Sequence, residues 1–214
     1  MALPPTSSAA LPASPAPPGH PHRIVLTGGP GAGKTVISQH LLAAHPDRFV
    51  LVPEAATQVY DVLQTRWDKL DLPGRRDVQR KIYQLQLDQE QRTLAAHPGK
   101  ILLLDRGTID GAAYWPEGVE DYWRDVRSSL AMELQRYDAV IWMQTSAVLG
   151  LYDGDASNSC RFEHPEAAIA SGQVLAGLWS QHPRLHRVEA YPSLAEKTAA
   201  VERVLMSIVG DAPA

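Results

Sequence analysis

Short apolar runs alternate along the chain with longer stretches in which apolar residues recur at helical spacing. Arg23-Ile24-Val25-Leu26-Thr27 reads as a buried strand, and Val36 to Ala44, with Val36, Ile37, Leu41 and Leu42, as the helix after it. Arg48 to Val52 predicts a second strand, stopped by Pro53, and Ala55 to about Leu63 a second helix. Asp68 to Gly74 reads as a turn. Arg75 to Ala96 predicts a long polar helix with Val78, Ile82, Leu85 and Leu94 inward. Ile101 to Leu104 is apolar on both faces, so the third strand is internal to the sheet, and it ends on Asp105. Helical material from Thr108 to Leu134 is broken around Trp115-Pro116-Glu117-Gly118. Ala139 to Met143 is a fourth strand, Pro165 to Gln181 a helix and Leu185 to Ala190 a fifth strand. Ser193 to Val209 closes the chain, with Ser193 and Glu196 as a capping box and Leu194, Val201, Val204, Leu205 and Ile208 inward. Strands alternating with helices predict βαβ units: an α/β fold in three layers, helices covering both faces of a parallel five-stranded sheet.

Composition confines this fold to part of the chain. Residues 1–22 are rich in Pro, Ala and Ser and bury too little to offset their ordering entropy, so a disordered tail is expected there. They lack the basic start and apolar core of a secretory signal. The domain is expected over 23–209, with a short tail at 210–214. The net charge of −4 argues against a dedicated nucleic-acid binder. The single cysteine, Cys160, precludes an internal disulfide and points to a reducing, cytoplasmic setting. No apolar run approaches the roughly 18 residues of a membrane span.

The chemistry gathers where predicted strands end. Gly28-Gly29-Pro30-Gly31-Ala32-Gly33-Lys34-Thr35 fits G-x-x-x-x-G-K-[ST], the phosphate-binding loop of P-loop NTPases, and joins a predicted strand to a helix as that motif requires. Backbone N–H groups from Gly28 to Val36 would face phosphate oxygens at a helix N-terminus. Lys34 would reach the β- and γ-phosphates, and Thr35 would hold Mg²⁺ through its hydroxyl. A Gly-rich turn before a surface lysine would give the same string without the chemistry. Asp105 ends an apolar strand in the manner of a Walker B acid, the position that meets Mg²⁺ or its waters, with Arg106 and Asp110 just beyond. Glu54 follows the second strand, on the side of an open α/β sheet where ligands bind; a first-turn acid favoured by the helix dipole is the alternative. Arg76, Arg80, Gln84 and Gln86 could reach a substrate or form a solvated face. Tyr114, Trp115, Tyr122 and Trp123 could stack on a planar substrate, although core packing is the commoner use. The polar run from Gly150 to Glu163 reads as a lid that would bring Arg161 over transferring phosphates, or as a surface loop with an ordinary arginine. The histidines form no metal-binding signature.

Taken with the P-loop, the segments Val52-Pro53-Glu54-Ala55-Ala56 and Leu104-Asp105-Arg106-Gly107-Thr108-Ile109-Asp110-Gly111-Ala112-Ala113-Tyr114-Trp115 give a resemblance. The chain resembles, over about residues 23–209, the P-loop AAA-type domain shared by the ribosylnicotinamide kinase domain of NadR and the TRPL-translocation-defect proteins, a group similar to nucleoside and nucleotide kinases. The resemblance implies a sheet order near 2-3-1-4-5, a lid, and bound ATP, with GTP also possible, together with Mg²⁺. It implies Glu54 as base on an acceptor hydroxyl, Asp105 and Arg106 for Mg²⁺ and phosphate contacts, and Arg161 as a lid arginine. The expected activity is γ-phosphate transfer to a small nucleoside-like acceptor; the alternative is a nucleotide-dependent switch acting on a protein or lipid partner. No Asn-Lys-x-Asp guanine signature is present, which favours ATP.

Overall fold

The computed structural model describes residues 23–151 and 164–210; the expected N-terminal tail, the lid with Cys160 and Arg161, and the last four residues lie outside them. Five parallel strands form one sheet: β1 (Arg23–Thr27), β2 (Phe49–Val52), β3 (Ile101–Asp105), β4 (Ala139–Met143) and β5 (Leu185–Val188), in the order β2-β3-β1-β4-β5. Side chains alternate across β1. Ile24 and Leu26 pack against Ile37 and Leu41 of α1 (Lys34–Ala44) and Val201, Leu205 and Ile208 of α8 (Leu194–Ile208). Val25 faces the opposite layer, with Leu102, Leu104, Tyr122 of α5 (Val119–Val126) and Leu175 and Trp179 of α7 (Pro165–Trp179). Two apolar layers therefore clamp β1 and β3, which explains why both read as unbroken apolar runs.

Four local expectations change. The long helix α3 (Leu72–Ala96) starts earlier than Arg75, because Asp71 caps it by accepting from the Gly74 N–H at 2.9 Å and Pro73 sits in its first turn, where its missing donor costs nothing. Its buried face is Val78, Gln79, Tyr83, Gln86 and Glu90 rather than a purely apolar stripe. Ile82, Leu85 and Leu94 are only partly buried. Leu194, expected inward, is exposed. Ser193 does cap α8, accepting from the Glu196 N–H at 3.2 Å, but the Glu196 carboxylate returns to the serine hydroxyl rather than to its backbone. The remaining helices are α2 (Ala55–Leu63), α4 (Asp110–Ala113) and α6 (Leu130–Leu134). The interrupted helical stretch resolves into α4, α5 and α6. Trp115, Tyr122 and Trp123 are core, their rings meeting edge to face.

Arg76 and Arg80 are not near the strand ends where the chemistry gathers. Both bind Asp125 of α5: Arg76 Nη2 at 2.8 Å, and Arg80 Nε and Nη2 at 2.7 Å each. Arg76 also pairs with Glu117 and lies over the Trp115 ring. The Arg80 and Arg76 hydrogen bonds, opposed only in part by burial, pull the Asp125 carboxyl down to about 2. A carboxylate lowered in the fold contributes stability above its free value near 4 that is lost as pH falls through about 2. Asp125→Asn is expected to lower the urea midpoint relative to wild type at pH 6, and the gap should close as pH drops from about 4 to 2. A gap independent of pH would show that the α3–α5 clamp does not work through this charge.

Candidate active site

β1, β2 and β3 end side by side, so whatever follows each strand is brought to the same edge of the sheet. The loop after β1 wraps under the start of α1. Gly28 has φ +142° and any Cβ there would run into the Met143 carbonyl, so only glycine fits. The loop's outer carbonyls are held from the end of β4: Thr145 Oγ1 donates to Pro30 O at 2.6 Å, and the Ser146 N–H and hydroxyl to Gly31 O. Gly33, in the left-handed region, caps α1 without a side-chain hydrogen bond, and no acid occupies the helix's first turn. The first-turn N–H groups thus have no side chain competing for them, the condition for anion binding at a helix start. Lys34 is buried and its Nζ donates to Gly28 O at 3.0 Å and Gly29 O at 3.2 Å, inside the curve of the loop.

Thr35 Oγ1 donates to Asp105 Oδ2 at 2.8 Å. Asp105 Oδ1 is buried and has no hydrogen-bond partner among the described residues. Burial, and then the charge of Glu54, raise the Asp105 carboxyl above its ordinary range, with Lys34, Arg106 and the Thr35 bond opposing. A hydroxyl beside a carboxylate with one unspent oxygen is a hard-oxygen donor set that suits Mg²⁺ shared with a nucleotide. Among the described residues there is no cluster of three or more His, Cys, Asp and Glu side chains that could hold a metal alone.

Arg106 has φ +78°, unusual for a residue with a side chain, and is buried. Its Nε donates to Glu54 Oε1 at 2.6 Å, and its Nη1 to Asp110 Oδ2 at 3.0 Å and Gly28 O at 3.4 Å. Burial works against its charge, but Tyr114, Glu54, Asp110 and Asp105 outweigh that and hold its pKa well above normal. Asp110 in turn accepts from Thr27 Oγ1 at 2.8 Å and from the Trp179 indole at 2.7 Å. Glu54, at the start of α2, also accepts from Thr57 Oγ1 at 2.7 Å. The carboxylate and arginine are therefore fixed against each other beside the phosphate loop.

The backbone of this segment is secured from below. Gln86 Nε2 donates to Arg106 O at 3.3 Å and Glu90 Oε1 at 3.1 Å. Glu90 accepts from Arg136 and Tyr137, and Thr108 gives its hydroxyl to Glu133 at 2.7 Å. Tyr83 also donates to Glu133; burial first, and then that carboxylate, push its phenol up to about 12.

Two hollows flank the loop. One is lined by Glu54, Gln79, Tyr83, Gln86, Arg106, Asp110 and Tyr114, among others. The second lies against Gly31–Gly33 and is walled by Leu151, Tyr191, Pro192, Leu194 and Lys197. Burial lowers the Lys197 ammonium to about 8, and its Nζ donates to Gln144 O.

Of the residues singled out in the sequence, Lys34, Thr35, Glu54, Asp105 and Arg106 come together with the loop from Gly28 to Gly33. Val36 begins to turn away and its side chain is exposed, although only its backbone was implicated. Gln86 reaches the site, but through Arg106 and Glu90. Gln84 is exposed. Tyr114 leaves the aromatic cluster to line the first hollow, its ring 5.6 Å from the Arg106 guanidinium carbon. Thr27, Trp179 and Gln79 were not foreseen. The seven-residue spacing of Gln79 and Gln86, with Tyr83 between them, was the available sign of a polar helix face turned inward.

Comparison with known proteins agrees with this architecture. Two solved structures are similar in fold: NadR protein in complex with NR (17% identity, TM-score 0.63, 88% of this chain and 50% of that one) and NadR protein in complex with NAD and AMP-PNP (15%, 0.58, 88% and 49%). The chain spans about half the length of these structures. No curated protein matches it. A family model described as an AAA domain matches residues 23–196, and the sheet order agrees with it: the chain belongs to the P-loop AAA-domain proteins, a nucleotide-binding family.

Proposed function

We propose that the protein is a small-molecule kinase that transfers the γ-phosphate of ATP to a hydroxyl of a nucleoside-like acceptor. The observation that carries this reading is the hollow lined by both Arg106, which bonds the Gly28 carbonyl of the phosphate loop, and the carboxylate of Glu54. Its lining also favours an acceptor without phosphate. The one cation among the described lining residues, Arg106, is already matched by Glu54 and Asp110. The second hollow, with Tyr191 and Pro192 against the far side of the loop, suits the nucleobase.

In this reading the phosphates lie along Gly28–Thr35, with Lys34 leaving its loop carbonyls for the β- and γ-oxygens. Thr35 and Asp105 would hold Mg²⁺, which when bound neutralises phosphate charge. The acceptor oxygen attacks the γ-phosphorus, its bond forms as the bond to the ADP oxygen breaks, and the acceptor proton passes to Glu54. Arg106 keeps Glu54 aimed and adds positive charge beside the transferring group. Positioning and charge neutralisation supply most of the catalysis in such transfers. Arg161 would act from the segment outside the described residues.

The reading is tested by ADP release from Mg-ATP with and without pooled nucleosides and small alcohols. Turnover that depends on an acceptor supports it; tight nucleotide binding that no pool stimulates would replace it with a nucleotide-dependent switch. Glu54→Gln is expected to remove transfer while nucleotide affinity changes less than about threefold, since removing a transition-state contact lowers kcat rather than binding. Transfer at near wild-type rate in that variant would exclude Glu54 as base. Lys34→Ala should cost about 10²–10³ in rate, the scale for loss of one electrostatic donor.

A further inference from the structure

The acceptor hollow contains one side chain that neither the fold nor the chemistry above employs. Gln79 lies on the inward face of α3 and is 4% exposed. It lines the hollow, and its amide, which has no hydrogen bond to any described residue, is not among the sealed polar atoms and so meets the open space. Its neighbours on the same face are already engaged: Tyr83 donates to Glu133, and Gln86 to Glu90 and Arg106 O. A primary amide offers donor and acceptor side by side, and here both are left open to the hollow.

We infer that Gln79 is the specificity-determining residue of the acceptor site, taking a neutral ligand edge that presents one donor and one acceptor together, as adjacent sugar hydroxyls or a carboxamide do. The inference rests on the kinase reading for the identity of the hollow. Gln79 is not a catalytic residue: Glu54, Arg106 and the phosphate loop are set by other contacts, so its loss should weaken acceptor binding and leave the chemical step alone. A site that hydrogen-bonds its ligand also discriminates strongly against analogues lacking the group.

The test uses the full chain with Mg-ATP and a panel of nucleosides, their 2′-deoxy and 3′-deoxy analogues, and matched members with and without a base carboxamide. Gln79→Met, similar in length and without hydrogen bonds, is expected to raise KM for accepted members about tenfold, the scale of one lost neutral hydrogen bond, with kcat within about twofold and ATP affinity unchanged. The penalty should vanish for whichever analogue lacks the partner group, which tells sugar from base. An unchanged KM throughout, or a fall in kcat alone, overturns the inference and leaves the kinase reading standing. If no member supports turnover in wild type, the kinase reading fails for that panel. Binding of the same panel to protein loaded with AMP-PNP then decides the inference: binding lost in Gln79→Met upholds it, and no binding, or binding indifferent to Gln79, ends it.

Discussion

The buried guanidinium of Arg106 is the constraint around which the site is arranged. A charge that deep is tolerable only with opposite charge and hydrogen bonds close by. Glu54 arrives from β2, Asp110 from the turn after β3, and the Gly28 carbonyl from β1. Asp110 needs its own partners and draws Thr27 and Trp179 inward. The left-handed backbone at Arg106 is part of the same arrangement: it turns the side chain back over the strand ends, and Gln86 holds the carbonyl behind it. The ion pairs thus join three strands and one helix and keep a carboxylate beside the phosphate loop.

The sheet was legible because its signal is one-dimensional. Each strand is a short apolar run bounded by turn residues, and β1, β3 and β4, which feed apolar residues into both core layers, are flanked by strands on both sides in the structure. The phosphate loop was legible because its spacing is fixed by backbone geometry. What stayed hidden depends on pairing at a distance. The start of α3 turned on a cap from Asp71 that outweighed the turn-like Leu-Pro-Gly. Its inward face turned on Glu90 and Gln86 finding partners just beyond β3 and α6, so polar letters stood where burial was. Arg76 and Arg80 looked available for a substrate until Asp125, far along the chain, claimed them.

The two faces of the sheet divide the work. The layer of α1 and α8 is almost wholly apolar and positions the phosphate loop by packing. The opposite layer combines apolar packing with Glu90, Glu133 and their tyrosines and arginine, and it bears the hollow. A network of hydrogen bonds fixes direction as well as distance, and so specifies one arrangement more sharply than apolar contacts, which tolerate sliding. Placing it under Arg106 and Thr108 gives the acceptor side a more exact frame than the nucleotide side.

The loop around the phosphates is roofed by residues that come much later in the chain: the Met143 carbonyl stands over Gly28, and that of Ala168 over Gly29. β1 finds both its strand neighbours, β3 and β4, long after it is made. During synthesis the glycine-rich segment therefore leaves the ribosome well before anything can hold its curve. The curve of the loop is completed only when β4 and α7 dock, and contacts so distant in sequence form slowly because loop closure must come first. A nascent chain stalled before α7 should carry the whole motif and yet have no grip on ATP, so the motif by itself is an address that only the finished sheet can read.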